Sequence, residues 1–206
     1  MSPDASIGLI LLAAGNSRRL GRPKQLLEFR GAPLLRRAAE AALGSRARPV
    51  VVVLGSEAVA CAAVLRDLPV EIVMNPAWKE GLAGSIRAGV EAIEKTTPGV
   101  GGVIVCVADQ PMLSAVVLDA LIETQRVSGA KMAAAEYGGM LGVPAFFCAS
   151  LFGELKALRG DEGARSLLRR AGEAVARVPF PGGEVDVDTP EDAARLEGRG
   201  HADGAA

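Results

Sequence analysis

The run Ile7-Gly8-Leu9-Ile10-Leu11-Leu12-Ala13, continuing directly into Ala14-Gly15-Asn16-Ser17-Arg18-Arg19-Leu20-Gly21-Arg22-Pro23-Lys24, decides how this chain is read. Its first half is apolar at odd and even positions alike, as a strand covered on both faces must be. Its second half is a glycine-bearing turn dense in basic residues. A strand ending in such a turn can aim several backbone N–H groups at one point, and Arg19 and Lys24 add full charges to that nest for an anion. The glycines alone suit a plain surface turn; the strand before them and the cluster of cations turn the reading toward a triphosphate.

Working outward, similar apolar runs recur at Val50 to Leu54, Val70 to Met74 and Val103 to Val107, and all four read as inner strands. Helical patterns near 33–43, 57–67, 81–95 and 115–127 alternate with them, the third carrying Ile86, Val90 and Ile93 at helical spacing. This alternation is the mark of a parallel sheet with crossover helices. Beyond residue 130 come Lys131 to Tyr137, a Gly138-Gly139 turn and an apolar Val143 to Phe147 segment suited to antiparallel pairing, so a mostly parallel mixed sheet of the α/β class is expected. Helices near 151–158, 162–172 and 190–197, with a strand-like Ala174 to Phe180, complete a single expected domain over residues 1–197. The first five residues and a Gly/Ala-rich tail, 198–206, read as flexible.

The bulk figures narrow the function. At 206 residues the chain can bury one substantial core, and with 3% aromatic content that core must be Ala, Val, Leu and Ile in layers. Twenty-three basic against 24 acidic residues give a net charge of −1, which disfavours nucleic acid and anionic membrane as partners and makes any anion site local. Cys61, Cys106 and Cys148 form no CxxC pair, so neither a disulfide frame nor a zinc site is expected. No leader pattern and no run near the ~20 apolar residues of a membrane span is present, and a cytoplasmic location is expected.

The phosphate loop GxxxxGK with Ser or Thr after it is absent, and so is GxGxxG with an acidic residue about 20 positions on, which disfavours P-loop enzymes and hydride-transfer enzymes. The string LAAGNSRRLGRPK instead resembles the LAAGxSxRxGxxK signature of nucleotidyltransferases similar to molybdenum cofactor cytidylyltransferase, relatives of the guanylyltransferase of the same cofactor's synthesis. That resemblance implies a three-layer α/β/α sandwich, Rossmann-like and of the nucleotide-diphospho-sugar transferase type. It further implies that Leu12, Ala13, Ala14, Gly15 and Ser17 wrap the nucleotide while Arg19 and Lys24 neutralise its phosphates. Members opening with Ala-Ala-Gly tend to take CTP and those with Ala-Gly-Gly tend to take GTP, so Ala13-Ala14-Gly15 favours CTP.

A second segment, Asn75-Pro76-Ala77-Trp78-Lys79-Glu80-Gly81-Leu82-Ala83-Gly84-Ser85-Ile86-Arg87-Ala88-Gly89, resembles the family's NPxWxxGxxxSIRAG signature. Its helix comes just after the third strand, so Ser85 and Arg87 are expected at the same carboxyl edge as the first loop, with Asn75, to meet nucleotide. Gly81, Gly84 and Gly89 would each cost an ordinary helix up to ~1 kcal/mol, which suggests close backbone approach to sheet or ligand. Trp78 suits core packing or a substrate platform.

Asp109, in Ala108-Asp109-Gln110-Pro111, ends the fourth strand; a carboxylate there suits a Mg²⁺ ion holding triphosphate oxygens, although an Asp before Pro111 also suits a plain helix cap. The resemblance makes it the metal-binding Asp of a DxP motif. Thr189-Pro190-Glu191-Asp192 reads as a helix start, while Asp186 and Asp188 share one face of an extended segment, and the resemblance places a second metal carboxylate at Asp188 in preference to Asp186. Gly142 and Pro144, with Asp161 and Arg165, match segments implied to line the acceptor pocket. The expected activity is transfer of CMP from CTP, or GMP from GTP, to the phosphate of a molybdopterin-type acceptor with Mg²⁺ (or Mn²⁺) and release of pyrophosphate. The rival readings are a nucleotidyltransferase acting on a different phosphorylated acceptor, such as a sugar phosphate or polyol phosphate, and a non-catalytic carrier delivering the pterin cofactor to a molybdenum hydroxylase.

Overall fold

The structure, a computed structural model, describes residues 5–17, 20–185, 187 and 191–194. In chain order the elements are β1 (Ile7–Ala13), β2 (Glu28–Phe29), β3 (Ala32–Pro33), α1 (Leu34–Gly44), β4 (Val50–Leu54), α2 (Ala58–Ala63), β5 (Glu71–Met74), α3 (Leu82–Thr96), β6 (Gly102–Val107), α4 (Ala115–Ser128), β7 (Met132–Tyr137), β8 (Met140–Cys148), α5 (Phe152–Ala157), α6 (Arg165–Ala171) and β9 (Ala176–Pro179). Residues 191–194 are helical, within the range the sequence assigns to a last helix. Most of that segment's capping signal and the expected tail lie outside the described residues.

Seven strands form one sheet in the order β5-β4-β1-β6-β8-β7-β9, and β2 with β3 forms a small separate ribbon. Within the large sheet only β8 runs against its neighbours, pairing antiparallel with both β6 and β7. The expected antiparallel segment thus lies between two strands of the other direction. The twofold repeat of a strand explains the layering. From β1, Leu9, Leu11 and Ala13 enter one core with Leu35 and Ala39 of α1 and Leu118 and Leu121 of α4. Ile10 and Leu12 enter the opposite core with Ile86 and Val90 of α3, Leu155 of α5 and Leu168 of α6. Helices cover both faces, giving the expected three-layer α/β/α sandwich. At roughly 25 cal/mol per Å² of apolar surface, these two faces supply the main folding drive.

One expectation fails. The stretch Val70 to Met74 reads as an inner strand in sequence, but β5 is an edge strand with β4 as its partner. Its burial alternates, with Ile72 and Met74 exposed. Apolar content reports how much hydrophobic surface a strand carries and cannot by itself distinguish a strand with two neighbours from one with a single neighbour.

The glycines of the Gly81–Gly89 stretch confirm close approach at two of three positions. A Cβ on Gly89 would stand 2.5 Å from Ile10 Cγ2, so the helix sits directly on β1, while Gly81 has φ 111° and a Cβ there would overlap the Gly160 carbonyl. Gly84 meets no such constraint, its nearest neighbour being Asn75 Nδ2 at 3.5 Å. No helix among the described residues is long and apolar enough to cross a membrane.

Candidate active site

Parallel strands deliver their carboxyl ends to one rim, and a ligand site forms where the connections there diverge. The loop after β1 is shaped by its own polar groups. Ser17, at φ 48°, accepts at its carbonyl from the N–H of Leu20 (3.0 Å) and Gly21 (3.2 Å), and its Oγ accepts from Lys24 N at 3.0 Å. The Ala14 carbonyl accepts from Ser56 N at 3.0 Å. Gln25, buried beneath the loop, donates through Nε2 to the carbonyls of Ala13 (3.1 Å) and Gly15 (2.5 Å). The carbonyls of Ala13, Ala14, Gly15 and Ser17 are therefore held by the protein. An anion arriving from the cleft meets carbonyls already engaged with the protein, which lowers the repulsion it would otherwise feel.

Lys24 reaches across this rim to form an ion pair with Asp109 at the end of β6, both side chains being mostly buried. Loop and strand end are thereby joined at one point. They line a cleft of about 510 Å³ together with Leu12, Ala14, Gly15 and Gln25. The opposite wall is Trp78, Gly81, Leu82, Ser85 and Asp161. Asn75 lies behind that wall: it is buried, donates from Nδ2 to Ser85 Oγ at 3.0 Å, and accepts from Ala77 N at 3.1 Å. It shapes the turn that presents Trp78 and orients the Ser85 hydroxyl.

A second chamber of about 540 Å³ shares Leu12, Leu82, Val107 and Asp161 with the first. Its floor is apolar, with Ile86, Val105 and Val143, and its rim carries Arg165 and Arg169. A group bound there would abut a ligand in the cleft.

The sequence-expected residues divide into four groups. Leu12, Ala14, Gly15, Lys24, Trp78, Ser85, Asp109 and Asp161 line the cleft, with Ala13 and Ser17 in its supporting loop. Arg165 lines the second chamber; Gly142 and Pro144 lie in β8 beside it. Arg87 is not brought to the cleft; its guanidinium donates to the carbonyls of Lys156 (3.2 Å) and Leu158 (3.3 Å), holding the segment that leads to Asp161. Arg19, Asp186 and Asp188 lie outside the described residues. Sequence reasoning misses Gln25, a single amide between Lys24 and the apolar pair Leu26-Leu27, and Gln110, buried beside Asp109. For Gln25 the available signal is an amide directly before the apolar pair Leu26-Leu27; Gln110, between Asp109 and Pro111, carries none.

A divalent ion fits this donor set. No group of three or more His, Cys, Asp or Glu side chains gathers among the described residues, so an all-protein cage is absent there. Mg²⁺ typically takes one or two carboxylates and completes its shell with water and substrate phosphates, and Asp109 at the mouth of an anion-binding loop offers that chemistry.

Fold and site together define a nucleotide-dependent transferase, with a cationic loop and a carboxylate poised over one cleft and a second chamber alongside. Comparison with known proteins specifies the family: residues 9–175 match the MobA-like NTP transferase domain, and the chain belongs to that family of nucleotidyltransferases. It is 36% identical to nicotine blue oxidoreductase of Paenarthrobacter nicotinovorans, over 91% of this chain and 94% of the relative. It is 32% identical to purine catabolism protein PucB of Bacillus subtilis, over 89% of this chain and 92% of the relative. Among solved structures, Rv0371c from Mycobacterium tuberculosis superposes with TM-score 0.81 at 29% identity, covering 93% of this chain and 97% of the other. A further structure of that protein is a complex with manganese.

Proposed function

We propose that this enzyme transfers CMP from CTP to the terminal phosphate of a molybdopterin-type acceptor and releases pyrophosphate. The observation that carries the reading is the meeting of Lys24 and Asp109, from two different strand ends, over one cleft. A phosphate monoester acceptor is anionic at neutral pH and needs no protein base. Its oxygen forms the new bond to the α-phosphorus as the bond to the β-phosphate oxygen breaks, the electron pair leaving with pyrophosphate. Lys24, with Arg19 by family resemblance, offsets charge on the leaving pyrophosphate; the loop carbonyls, held back by Gln25, leave the approach clear. Ser85 and Trp78 orient the nucleotide, and the second chamber, with Arg165 on its rim, receives the acceptor. Asp109, joined by Asp188, would hold Mg²⁺ or Mn²⁺, which when bound supplies charge neutralisation at the phosphates. The manganese complex of the mycobacterial structure supports a divalent ion in this role. CTP is preferred to GTP on the Ala13-Ala14-Gly15 opening, and a cytoplasmic setting with a molybdenum hydroxylase as eventual client accords with the reading.

The test mixes the protein, Mg²⁺, each labelled NTP and molybdopterin and monitors pyrophosphate; release with CTP is expected, and none with any NTP removes the proposal. Chelation should stop release and Mg²⁺ or Mn²⁺ restore it. The redox name of one relative is addressed in the same assay by recording NADPH absorbance, which should not change.

A further inference from the structure

Between Ala134 and Ala135 the β7–β8 register shifts, from Ala134 opposite Ala145 to Ala135 opposite Gly142. Val143 and Pro144 are left without partners on β7, and the β6 pairing ends at Ala145. A bulge of this kind bends its strand and frees a carbonyl that must be satisfied elsewhere. Here the Val143 carbonyl accepts two side-chain hydrogen bonds, from Tyr137 Oη at 3.1 Å and from Gln110 Nε2 at 3.0 Å. Gln110 Nε2 also donates to the Gly183 carbonyl at 3.0 Å. With its proton committed to Val143, the Tyr137 oxygen can only accept, and it accepts from Arg165 Nη2 at 3.0 Å. The space around this contact is shaped for it: a Cβ on Gly142 would overlap Tyr137 Oη and stand 3.0 Å from Arg165 Nη2.

The geometry points to Tyr137 as a positioning residue for the acceptor, its hydroxyl aiming the Arg165 guanidinium over the second chamber to receive an anionic group. This rests on the reading of that chamber as the acceptor's. An arginine on a rim otherwise spends rotamer entropy each time it engages a ligand; fixing one of its donors in advance reduces that cost. The same bulged carbonyl ties Arg165 through Tyr137, and Asp109 through the adjacent Gln110, to one point of the backbone.

The experiment compares wild type with Tyr137→Phe and Gly142→Ala in equilibrium binding of molybdopterin and of CTP, both by calorimetry under anaerobic conditions. Both variants should bind molybdopterin about tenfold more weakly while CTP affinity moves less than about twofold, the loss expected of one charge-assisted bond. With turnover, KM for the acceptor should rise and kcat stay near wild type. Unchanged molybdopterin affinity in Tyr137→Phe overturns the proposal, as does an equal loss for CTP. Tyr137 is the only tyrosine, so its Raman doublet reports the hydrogen bonding of this one hydroxyl. That doublet should show a hydroxyl that both donates and accepts, and Arg165→Ala should remove the accepted bond; an unchanged doublet overturns the brace. A wild type that binds no molybdopterin while the doublet responds to Arg165→Ala counts against the acceptor reading and leaves the brace intact.

Discussion

Replacing Gln25 with methionine keeps the length of the side chain and removes both of its donors. In the native protein those donors satisfy the carbonyls of Ala13, which is buried, and Gly15, which is exposed. Water can replace the bond to Gly15, so the cost falls mainly on Ala13, where stranding a buried acceptor costs about 1–3 kcal/mol. Gln25 Oε1 is itself buried without a partner among the described residues, and removing it recovers part of that cost, so a net loss of about 1.5 kcal/mol is expected. For a chain of this size that is a fall in Tm of about 3–6 °C. The same carbonyls, once released, can turn toward the cleft and meet the triphosphate, so CTP affinity should fall about tenfold. Thermal and urea unfolding measure the first effect and calorimetric titration of CTP the second. Gln25→Glu should be worse than Gln25→Met at neutral pH, because a carboxylate only accepts and would face two carbonyls. A Gln25→Met protein with Tm within about 1 °C of wild type and CTP affinity within about twofold would refute the reasoning.

Other outcomes rest on the same geometry. Asp109→Asn should retain the fold, judged by circular dichroism, yet lose at least about 100-fold in kcat/KM, since a neutral amide neither holds a divalent ion nor pairs with Lys24. In thiol titration of the native protein, Cys61 and Cys106 should stay silent and Cys148 alone be available, with all three reacting after unfolding. Burial pushes the Cys61 thiol up to about 11 and drives Cys106 higher still. Arg36 grips Asp67 with two hydrogen bonds of 2.7 and 2.8 Å, and this pairing holds that carboxyl down to about 2. A lowered carboxyl contributes stability above its unfolded value near 3.8 and loses it as pH falls toward 2. The Tm difference between wild type and Asp67→Asn should therefore be small at neutral pH, solvent screening the pair, and close between about pH 4 and pH 2.

What the sequence made legible was what burial writes into composition. The runs at 7–13, 50–54 and 103–107 are apolar on both faces because helices cover both, and the inner strands of the sandwich are readable from that pattern. The position of β5 at the edge was not legible, since neighbours across a sheet come from distant parts of the chain. The β2–β3 ribbon, two residues a strand, is too short for a period to register. At the site, Lys24, Asp109, Trp78 and Ser85 announced themselves through strand ends and motif. Arg87 did not reveal its direction, because a basic residue in the first turns of a helix can serve a ligand or a neighbouring carbonyl equally well. Gln25, Gln110 and Tyr137 act on backbone oxygens whose availability depends on a turn and a bulge, and neither is encoded in a residue's own identity.

The placement of the antiparallel strand β8 between β6 and β7 has a consequence for how such a protein can diverge. Apart from Asp161, the described residues lining the cleft come from the chain before residue 110. The rim of the adjoining chamber is supplied by residues 161–169, packed against β8. On the proposed assignment of the two chambers, recognition of donor and acceptor is written in successive stretches of one polypeptide. Variation confined to the later stretch can change the molecule being modified while the chemistry of activation is inherited intact.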